Sequence, residues 1–263
     1  MQFYFIRHAQ SQNNLLYDLT GSGTGRSQDP ELTDTGSQQA QYLADFIRDA
    51  GPGAPADISD PQNTMGFGLT HLYTSLMIRS VSTGIIIAQE TGLPLLGWRD
   101  LHEGGGVYLH DEETGEPVGL PGNNRTYFNT YYPTLVLEDD IDELGWWNRP
   151  FETRPERRER ARRVIRQLLA QHGSTNHRVA VISHGGFFNH LMAVLVGLSE
   201  RADLSPSLAS TQALAAENVI LSAEREVWFT MNNTAIARID ITPEENRLIY
   251  LNRLDFLPPE LIT

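Results

Sequence analysis

The chain has 263 residues, 40% of them hydrophobic, and carries 33 acidic against 20 basic residues for a net charge of −13. This composition supports a substantial buried core, while the negative charge disfavours nucleic acid and acidic membrane surfaces as partners. The absence of cysteine excludes disulfides and a cysteine nucleophile, and the lack of a long apolar run or a targeting pattern predicts a cytoplasmic protein.

The first part of the chain alternates between segments typical of strands and of helices. Residues 2–7 (QFYFIR) are aromatic and β-branched and predict a buried strand that stops at a polar segment. Thr33 is the predicted N-cap of an amphipathic helix that ends at Gly51. The elements predicted next are a loop over 51–68, a strand in LTHLYTS, and a helix over about 77–91 that is closed by Gly92 and Pro94.

The alternation continues in the second part. A charged helix with one apolar face is predicted to end near Gly173, followed by a strand in RVAVIS and a helix in GFFNHLMAVLVG. VWFTM, AIARIDI and RLIYLNR predict late strands. The pattern indicates an α/β fold, a three-layer αβα sandwich with a mainly parallel central sheet.

Residues 104–153 interrupt this rhythm. They are rich in Gly, Pro, Asn, Tyr and acidic residues and have no clear periodicity, which favours an inserted cap or lid. Trp146 and Trp147 lie in this insertion, where they could stack on a substrate, although paired aromatics more often anchor a segment. We therefore predict one domain over 1–263 with an insertion at about 104–153.

Predicted strand ends carry side chains suited to a phosphate dianion. Arg7 and His8 follow the first strand, Arg79 follows TSLMI, and His184 follows RVAVIS. Because the carboxyl ends of parallel strands meet at one edge of a sheet, we expect these groups to converge there. An arginine fork binds phosphate oxygens in bidentate fashion and supplies positive charge locally.

Two further elements complete the predicted site. SHGGF places Gly185 at a strand-to-helix turn, where glycine permits close approach of the backbone and the helix N-terminus favours an anion. Glu103, in DLHEGGG, could protonate a leaving oxygen and then deprotonate an attacking water. The nearest substitutes for it in this role are His102 and Asp100.

The segment FIRHAQSQNN resembles the signature of the histidine phosphatase superfamily, the phosphoglycerate-mutase-like family. That signature is R-H-G, an acidic residue, Ser or Thr, and an Asn three positions later; here those places hold Arg7, His8, Ala9, Gln10, Ser11 and Asn14. Ala9 and Gln10 depart from it. The resemblance continues in order through ELTDTGSQQA, TSLMIRSVSTG, LHEGG, VISHGG and NNTAIARI.

The resemblance implies a mechanism through a phosphohistidine. His8 attacks phosphorus in line, Arg7, Arg79 and His184 bind the equatorial oxygens, and Glu103 serves as acid and then as base. Asn14 is carried over as a hydrogen-bond donor in the phosphate pocket. Arg26 is carried over as a residue of the substrate loop. No cofactor and no metal ion is implied, because fixed cations can stabilise the transferring phosphoryl group.

Five histidines outside these motifs have no partner motif, and their spacing gives no support for a metal site. They are His71, His110, His172, His177 and His190. The run RPERRERARR, residues 154–163, invites a nucleic-acid interpretation, but its mixed charges favour a solvated helix.

Three functions stay open. The first is a phosphatase that acts on a small phosphorylated metabolite, and the second is a phosphoglycerate mutase, which returns the phosphoryl group to a second hydroxyl. A mutase needs further basic residues around its cavity, and between 104 and 148 the basic groups are Arg125 and His110. The third is a module that binds phosphorylated ligands without catalysis. Oligomeric state is not predicted.

Overall fold

The computed structural model describes residues 1–196 and 227–263. Its strands are β1 (Gln2–Arg7), β2 (His71–Thr74), β3 (Leu95–Gly97), β4 (Tyr108–His110), β5 (Pro117–Gly119), β6 (Leu135–Val136), β7 (Arg178–Ser183), β8 (Ile236–Ile241) and β9 (Asn246–Arg253). Its helices are α1 (Gln12–Thr20), α2 (Asp34–Asp49), α3 (Ile78–Thr91), α4 (Arg125–Tyr131), α5 (Arg154–His172) and α6 (Gly185–Leu195).

Seven strands form the central sheet in the order β6-β3-β2-β7-β1-β8-β9. The strands from β6 to β1 run parallel, whereas β8 and β9 are antiparallel. The predicted α/β sandwich with a mainly parallel sheet is confirmed. Because β1, β2 and β7 are parallel neighbours, the residues that follow their last positions share one edge of the sheet.

Alternate residues of β1 enter two separate cores. Tyr4 and Ile6 pack with α2 and α3 on one face, while Phe3 and Phe5 pack with α5 and α6 on the other. The side chains of a strand alternate between faces, so one buried strand serves both layers and appears in sequence as a continuous apolar run. This packing fixes the direction in which β1 delivers Arg7 to the sheet edge.

Several predicted helix ends agree with the structure. Thr33 caps α2 by accepting a hydrogen bond from the Gly36 backbone N–H at 2.9 Å. Gly92 ends α3 in the left-handed conformation, with φ at 69°, a geometry that glycine adopts without strain. Nine residues that the sequence analysis did not assign form α1, where the Ser11 side chain accepts a hydrogen bond from the backbone of Asn14.

The late strand predicted in VWFTM is wrong. Residues 227–231 are irregular, and their backbone forms hydrogen bonds with side chains instead of with a neighbouring strand. The Phe229 N–H donates to the Asn189 side chain at 2.7 Å, and the Met231 carbonyl accepts from Arg7 at 2.6 Å. The apolar alternation of this segment resembles a strand because Phe229 and Met231 pack against the core.

The insertion contains more regular structure than its sequence indicates. Residues 104–153 include the β4–β5 hairpin, α4, and β6, which extends the central sheet beside β3. Trp146 and Trp147 are 2% and 5% exposed within the core, which confirms that they anchor the insertion. Among the described residues, no helix combines the length and the apolar character needed to cross a membrane.

Candidate active site

A cavity of about 450 Å³ opens at the edge where β1, β2 and β7 end. Seven of the residues predicted from sequence line it: Arg7, His8, Asn14, Arg26, Arg79, Glu103 and Gly185. His184 is fully buried behind the cavity wall, with its ring centroid 5.0 Å from that of His8. The structure therefore brings the whole predicted set together.

The hydrogen bonds of His8 define its tautomer. Its Nδ1 lies 2.7 Å from the carbonyl oxygen of Ala9, which can only accept, so Nδ1 carries the proton. Its Nε2 accepts a hydrogen bond from Nε of Arg79 at 3.1 Å. Burial and the charges of Arg79 and Arg7 hold the pKa of His8 well below its ordinary value. His8 is thus a neutral imidazole with its unprotonated nitrogen next to an arginine, as a nucleophile requires.

The backbone around His8 is fixed by neighbouring elements. The Ala9 N–H donates to Oγ1 of Thr83 in α3 at 3.1 Å, and the Asn233 side chain donates to the His8 carbonyl at 2.9 Å. Asn233 also donates to Oδ1 of Asn14 at 3.3 Å. Oδ1 of Asn14 also accepts a hydrogen bond from the Ser11 backbone N–H. Because the amide oxygen already has partners, the NH₂ group is the part of Asn14 that can donate a hydrogen bond to a ligand.

Gln10 lies away from the cavity. Its side-chain oxygen accepts from the Thr33 hydroxyl at 2.7 Å, and the residue is 4% exposed. Gln10, one of the two departures from the family signature, therefore links the loop after β1 to the start of α2.

Positive charge is concentrated at the cavity. The guanidinium of Arg7 donates to the Met231 carbonyl, whereas its Nε is buried without a hydrogen-bond partner. No carboxylate of the described chain lies within ion-pair distance of Arg7, and the Asp29 carboxylate approaches Arg79 no closer than 3.8 Å. Buried cations with so little compensation favour an anionic ligand.

His184 has one committed and one unpaired nitrogen. Its Nε2 lies 2.9 Å from the Ser75 hydroxyl and 3.3 Å from that of Ser80, while its buried Nδ1 has no hydrogen-bond partner among the described residues. Desolvation and the charge of Arg79 hold the pKa of His184 well below its ordinary value. An unpaired buried donor or acceptor is costly, so this atom is a further candidate for contact with a ligand.

Glu103 is held by two backbone N–H groups. Its carboxylate accepts from Gly104 at 2.7 Å and from Gly186 at 3.0 Å. The start of α6, which the sequence analysis assigned to an anionic ligand, is thus partly taken by this side chain. A Cβ atom at position 186 would lie 2.5 Å from Oε1 of Glu103, so a side chain at this position would displace the carboxylate.

Arg160 supports the segment that carries Glu103. It is 1% exposed, forms an ion pair with the Glu152 carboxylate at 2.7 Å, and donates to the carbonyls of Asp100 and His102 at 2.8 and 2.9 Å. The prediction of a solvated face for residues 154–163 is therefore wrong at this position. The sequence offers no indication of this burial, because Asp100 and His102 lie more than 50 positions away along the chain.

The rim of the cavity is partly aromatic. Tyr17, at the exposed end of α1, and Trp228, in the irregular segment before β8, are 61% and 63% exposed and line the opening. Arg26 stacks on the ring of Tyr108, with 4.3 Å from its guanidinium carbon to the ring centroid. The β4–β5 hairpin therefore holds the loop that carries Arg26. The two rim aromatics are not evident from sequence, since no pattern predicts a helix over 12–20 and VWFTM predicts a strand.

Asp29 is a buried carboxyl group next to the site that the sequence analysis did not identify. Its side chain is 6% exposed, accepts from the Ile78 N–H at the start of α3 at 3.0 Å, and accepts from the Asn123 amide at 3.3 Å. Burial raises the pKa of Asp29 to about 6, in spite of the nearby charge of Arg79. The group links α3, the loop after α1 and the insertion.

Known proteins resemble this chain over most of its length. The sequence matches the histidine phosphatase superfamily (branch 1) over residues 3–116 and 122–217. It is 27% identical over 205 residues to a 2,3-bisphosphoglycerate-dependent phosphoglycerate mutase of Methylobacterium radiotolerans, covering 74% of this chain and 79% of that protein.

Solved structures share the fold at low identity. A mycobacterial glucosyl-3-phosphoglycerate phosphatase superposes with a TM-score of 0.54 at 15% identity, covering 96% of this chain and 99% of that one. A phosphoserine phosphatase of Entamoeba histolytica gives 0.53 at 18% identity, covering 98% and 99%. A putative alpha-ribazole-5'-P phosphatase of Escherichia coli gives 0.55 at 18% identity, covering 96% of each chain. The chain belongs to the histidine phosphatase superfamily.

Proposed function

We propose that this protein is a phosphatase that hydrolyses a small phosphomonoester through a phosphohistidine formed on His8. The observation that carries the proposal is the state of the His8 ring. Its Nε2 is unprotonated, it lies at the wall of a cavity, and it accepts a hydrogen bond from Arg79. A substrate phosphate that enters the cavity takes over the donors of Arg79, which frees the Nε2 lone pair for attack on phosphorus.

The first half of the reaction transfers the phosphoryl group to the protein. The bond from Nε2 of His8 to phosphorus forms in line with the breaking bond to the ester oxygen, and Glu103 gives its proton to that oxygen as the alcohol leaves. Arg7 and Arg79 neutralise the charge on the equatorial oxygens. The unpaired atoms, Nε of Arg7 and Nδ1 of His184, are suited to contact the same oxygens.

The second half returns the protein to its starting state. Glu103 takes a proton from water, the water oxygen bonds to phosphorus, and the bond to His8 breaks. Inorganic phosphate leaves, and the imidazole is again neutral. Every proton and bond is accounted for by the chain, the ester and one water molecule, so no step requires a metal ion or a cofactor.

A phosphoglycerate mutase is the second candidate, because the relative from Methylobacterium radiotolerans is one. A mutase must hold a bisphosphorylated intermediate, which calls for cations beyond those that bind the first phosphate. The basic residues of the described cavity lining are Arg7, His8, Arg26 and Arg79. Arg125 of the insertion donates instead to backbone carbonyls of Glu138 and Ile141. This distribution favours hydrolysis.

The test separates the two activities in one preparation. Release of inorganic phosphate from p-nitrophenyl phosphate and from 3-phosphoglycerate is measured with a chelator present and with or without 2,3-bisphosphoglycerate. We expect turnover of the aryl ester without stimulation by bisphosphoglycerate and without 2-phosphoglycerate as a product. Isomerisation that depends on bisphosphoglycerate would assign the mutase, and no turnover of any ester would favour a binding module.

A further inference from the structure

Three histidines lie together at the edge of the sheet opposite the cavity. His71 is the first residue of β2, His172 is the last residue of α5, and His177 immediately precedes β7. Each offers one ring nitrogen, and these three nitrogens lie within 4.8 Å of one another. The sequence spacing gave no indication of this cluster, because two elements far apart along the chain meet at the sheet edge.

The edge geometry explains why the rings meet. In the parallel ladder between β2 and β7, His71 lies opposite Val179, two positions after His177. The loop from α5 to β7 is short, so His172 returns to the same edge, with its ring centroid 4.6 Å from that of His71. The cluster thus joins β2, β7 and the end of α5.

The ring nitrogens of the cluster have defined partners. Nδ1 of His172 and Nδ1 of His177 share a hydrogen bond at 2.9 Å, which an ion bound to both nitrogens would replace. Nε2 of His172 lies 3.1 Å from the Tyr73 hydroxyl, and Nδ1 of His71 lies 2.9 Å from the Thr70 hydroxyl. Metal-binding histidines commonly use one ring nitrogen for the ion and bond the other to a group that orients the ring.

The distances also suit a small ion. Two nitrogens bound to one tetrahedral zinc ion at about 2.0–2.1 Å lie about 3.3 Å apart. The Nδ1 atoms of His172 and His177, now 2.9 Å apart, need to separate by only a few tenths of an ångström. The two most distant of the three nitrogens, which lie within 4.8 Å of each other, have to move closer together. Half-exposed His71 and His177 provide the ring freedom and leave an open side for water.

The ligand set also indicates the kind of ion. Imidazole ligands with one open position suit zinc and its neighbours in the first transition row.

We propose that His71, His172 and His177 bind a divalent transition-metal ion, with water as a fourth ligand. The ion fastens the end of α5 to the starts of β2 and β7. The site is separate from the cavity, since the six residues of β7 lie between His177 and His184 and span about 20 Å. Its role is therefore structural.

Zinc binding to the untagged protein tests the proposal. Calorimetric titration of the metal-free protein with Zn²⁺ should give one equivalent with micromolar affinity or better, and His71→Ala and His177→Ala should weaken it at least tenfold. Tyr73→Phe, which removes only the hydroxyl on His172, should weaken it severalfold. The exposed His110 lies outside the cluster, so His110→Ala is the matched control and should bind zinc as the parent does.

Thermal unfolding gives a second measurement, in which the Tm of each protein is compared with and without the ion. Zn²⁺ in excess should raise the Tm of the parent by on the order of 5 °C and leave that of His177→Ala unchanged. His8→Ala should retain zinc binding, which separates this site from the catalytic proposal. Equal affinities in the parent and in the cluster variants, or no binding by the parent, would show that the three rings merely pack together and would overturn the proposal.

Discussion

Nε of Arg79 donates a hydrogen bond to Nε2 of His8 across 3.1 Å, and the same guanidinium lies 3.8 Å from the Asp29 carboxylate. The arginine therefore acts on the proposed nucleophile in two ways. It favours the tautomer with an unprotonated Nε2, and its charge adds to burial in lowering the pKa of His8. Both effects lead to measurable consequences.

Removing the guanidinium of Arg79 should slow turnover and change its pH dependence. We expect Arg79→Ala to lose about 100-fold or more in kcat, because a donor to the transition state is lost. The pKa of His8 should rise towards its ordinary value without this charge, so the acidic limb of the kcat profile should move to higher pH. Arg79→Lys keeps the positive charge but loses the two-pronged guanidinium. Its acidic limb should therefore stay close to that of the parent, while its kcat falls. An unmoved acidic limb in Arg79→Ala would contradict this account.

Gly186 is predicted to matter through the space it leaves for Glu103. A methyl group at this position would lie 2.5 Å from the carboxylate, so Gly186→Ala should displace Glu103 and lower kcat by about 100-fold, the usual range for a lost acid–base group. Thermal unfolding should stay close to that of the parent. The matched comparison is Glu103→Gln. If Gly186→Ala retains parental kcat while Glu103→Gln does not, the proposed crowding is wrong.

Much of the fold and of the site follows from local sequence. The buried strands β1 and β7 are continuous apolar runs, and the rule that ligands bind where parallel strands end unites Arg7, His8 and His184 before any coordinates are known. By contrast, β3 has three residues and β6 has two, too few to show the alternation of apolar and polar residues that identifies a strand in sequence.

The residues that sequence analysis missed depend on contacts between distant segments. Arg160 resembles its charged neighbours in α5, yet of the arginines in residues 154–163, all of which the structure describes, it alone is buried, at 1% exposure. Asp29 precedes a proline in an ordinary loop and becomes buried only because α3 and the insertion close over it. Both residues are buried by segments that are distant in sequence, so the residue types around them do not predict their burial.

The raised pKa of Asp29 predicts a specific dependence of stability on pH. Its carboxyl group ionises near pH 4 in the unfolded chain but at about 6 in the folded one, so rising pH favours the unfolded state across this window. Relative to Asp29→Asn, the parent should lose up to about 3 kcal/mol of unfolding free energy between pH 4 and pH 7. Urea unfolding of both proteins at intervals across this range measures it. A difference between the two that does not change with pH would rule out the raised pKa.

The aromatic rim predicts where substrate affinity arises. Tyr17 and Trp228 are largely exposed at the opening of the cavity, so Tyr17→Ala and Trp228→Ala should raise KM severalfold for aryl phosphates with little change in kcat. Steady-state kinetics with p-nitrophenyl phosphate and a small alkyl phosphate provides the contrast. The alkyl ester should be less affected; equal effects on both esters, or a loss confined to kcat, would argue against stacking at the rim.

The most direct test of the central claim is to locate the phosphoryl group during turnover. Protein mixed with substrate and quenched in alkali within one turnover should carry an acid-labile phosphate, and peptide mass spectrometry should assign it to His8. His8→Ala should show neither the adduct nor turnover while keeping the parental fold by circular dichroism. An adduct on another residue, or turnover by His8→Ala at the parental rate, would contradict the account.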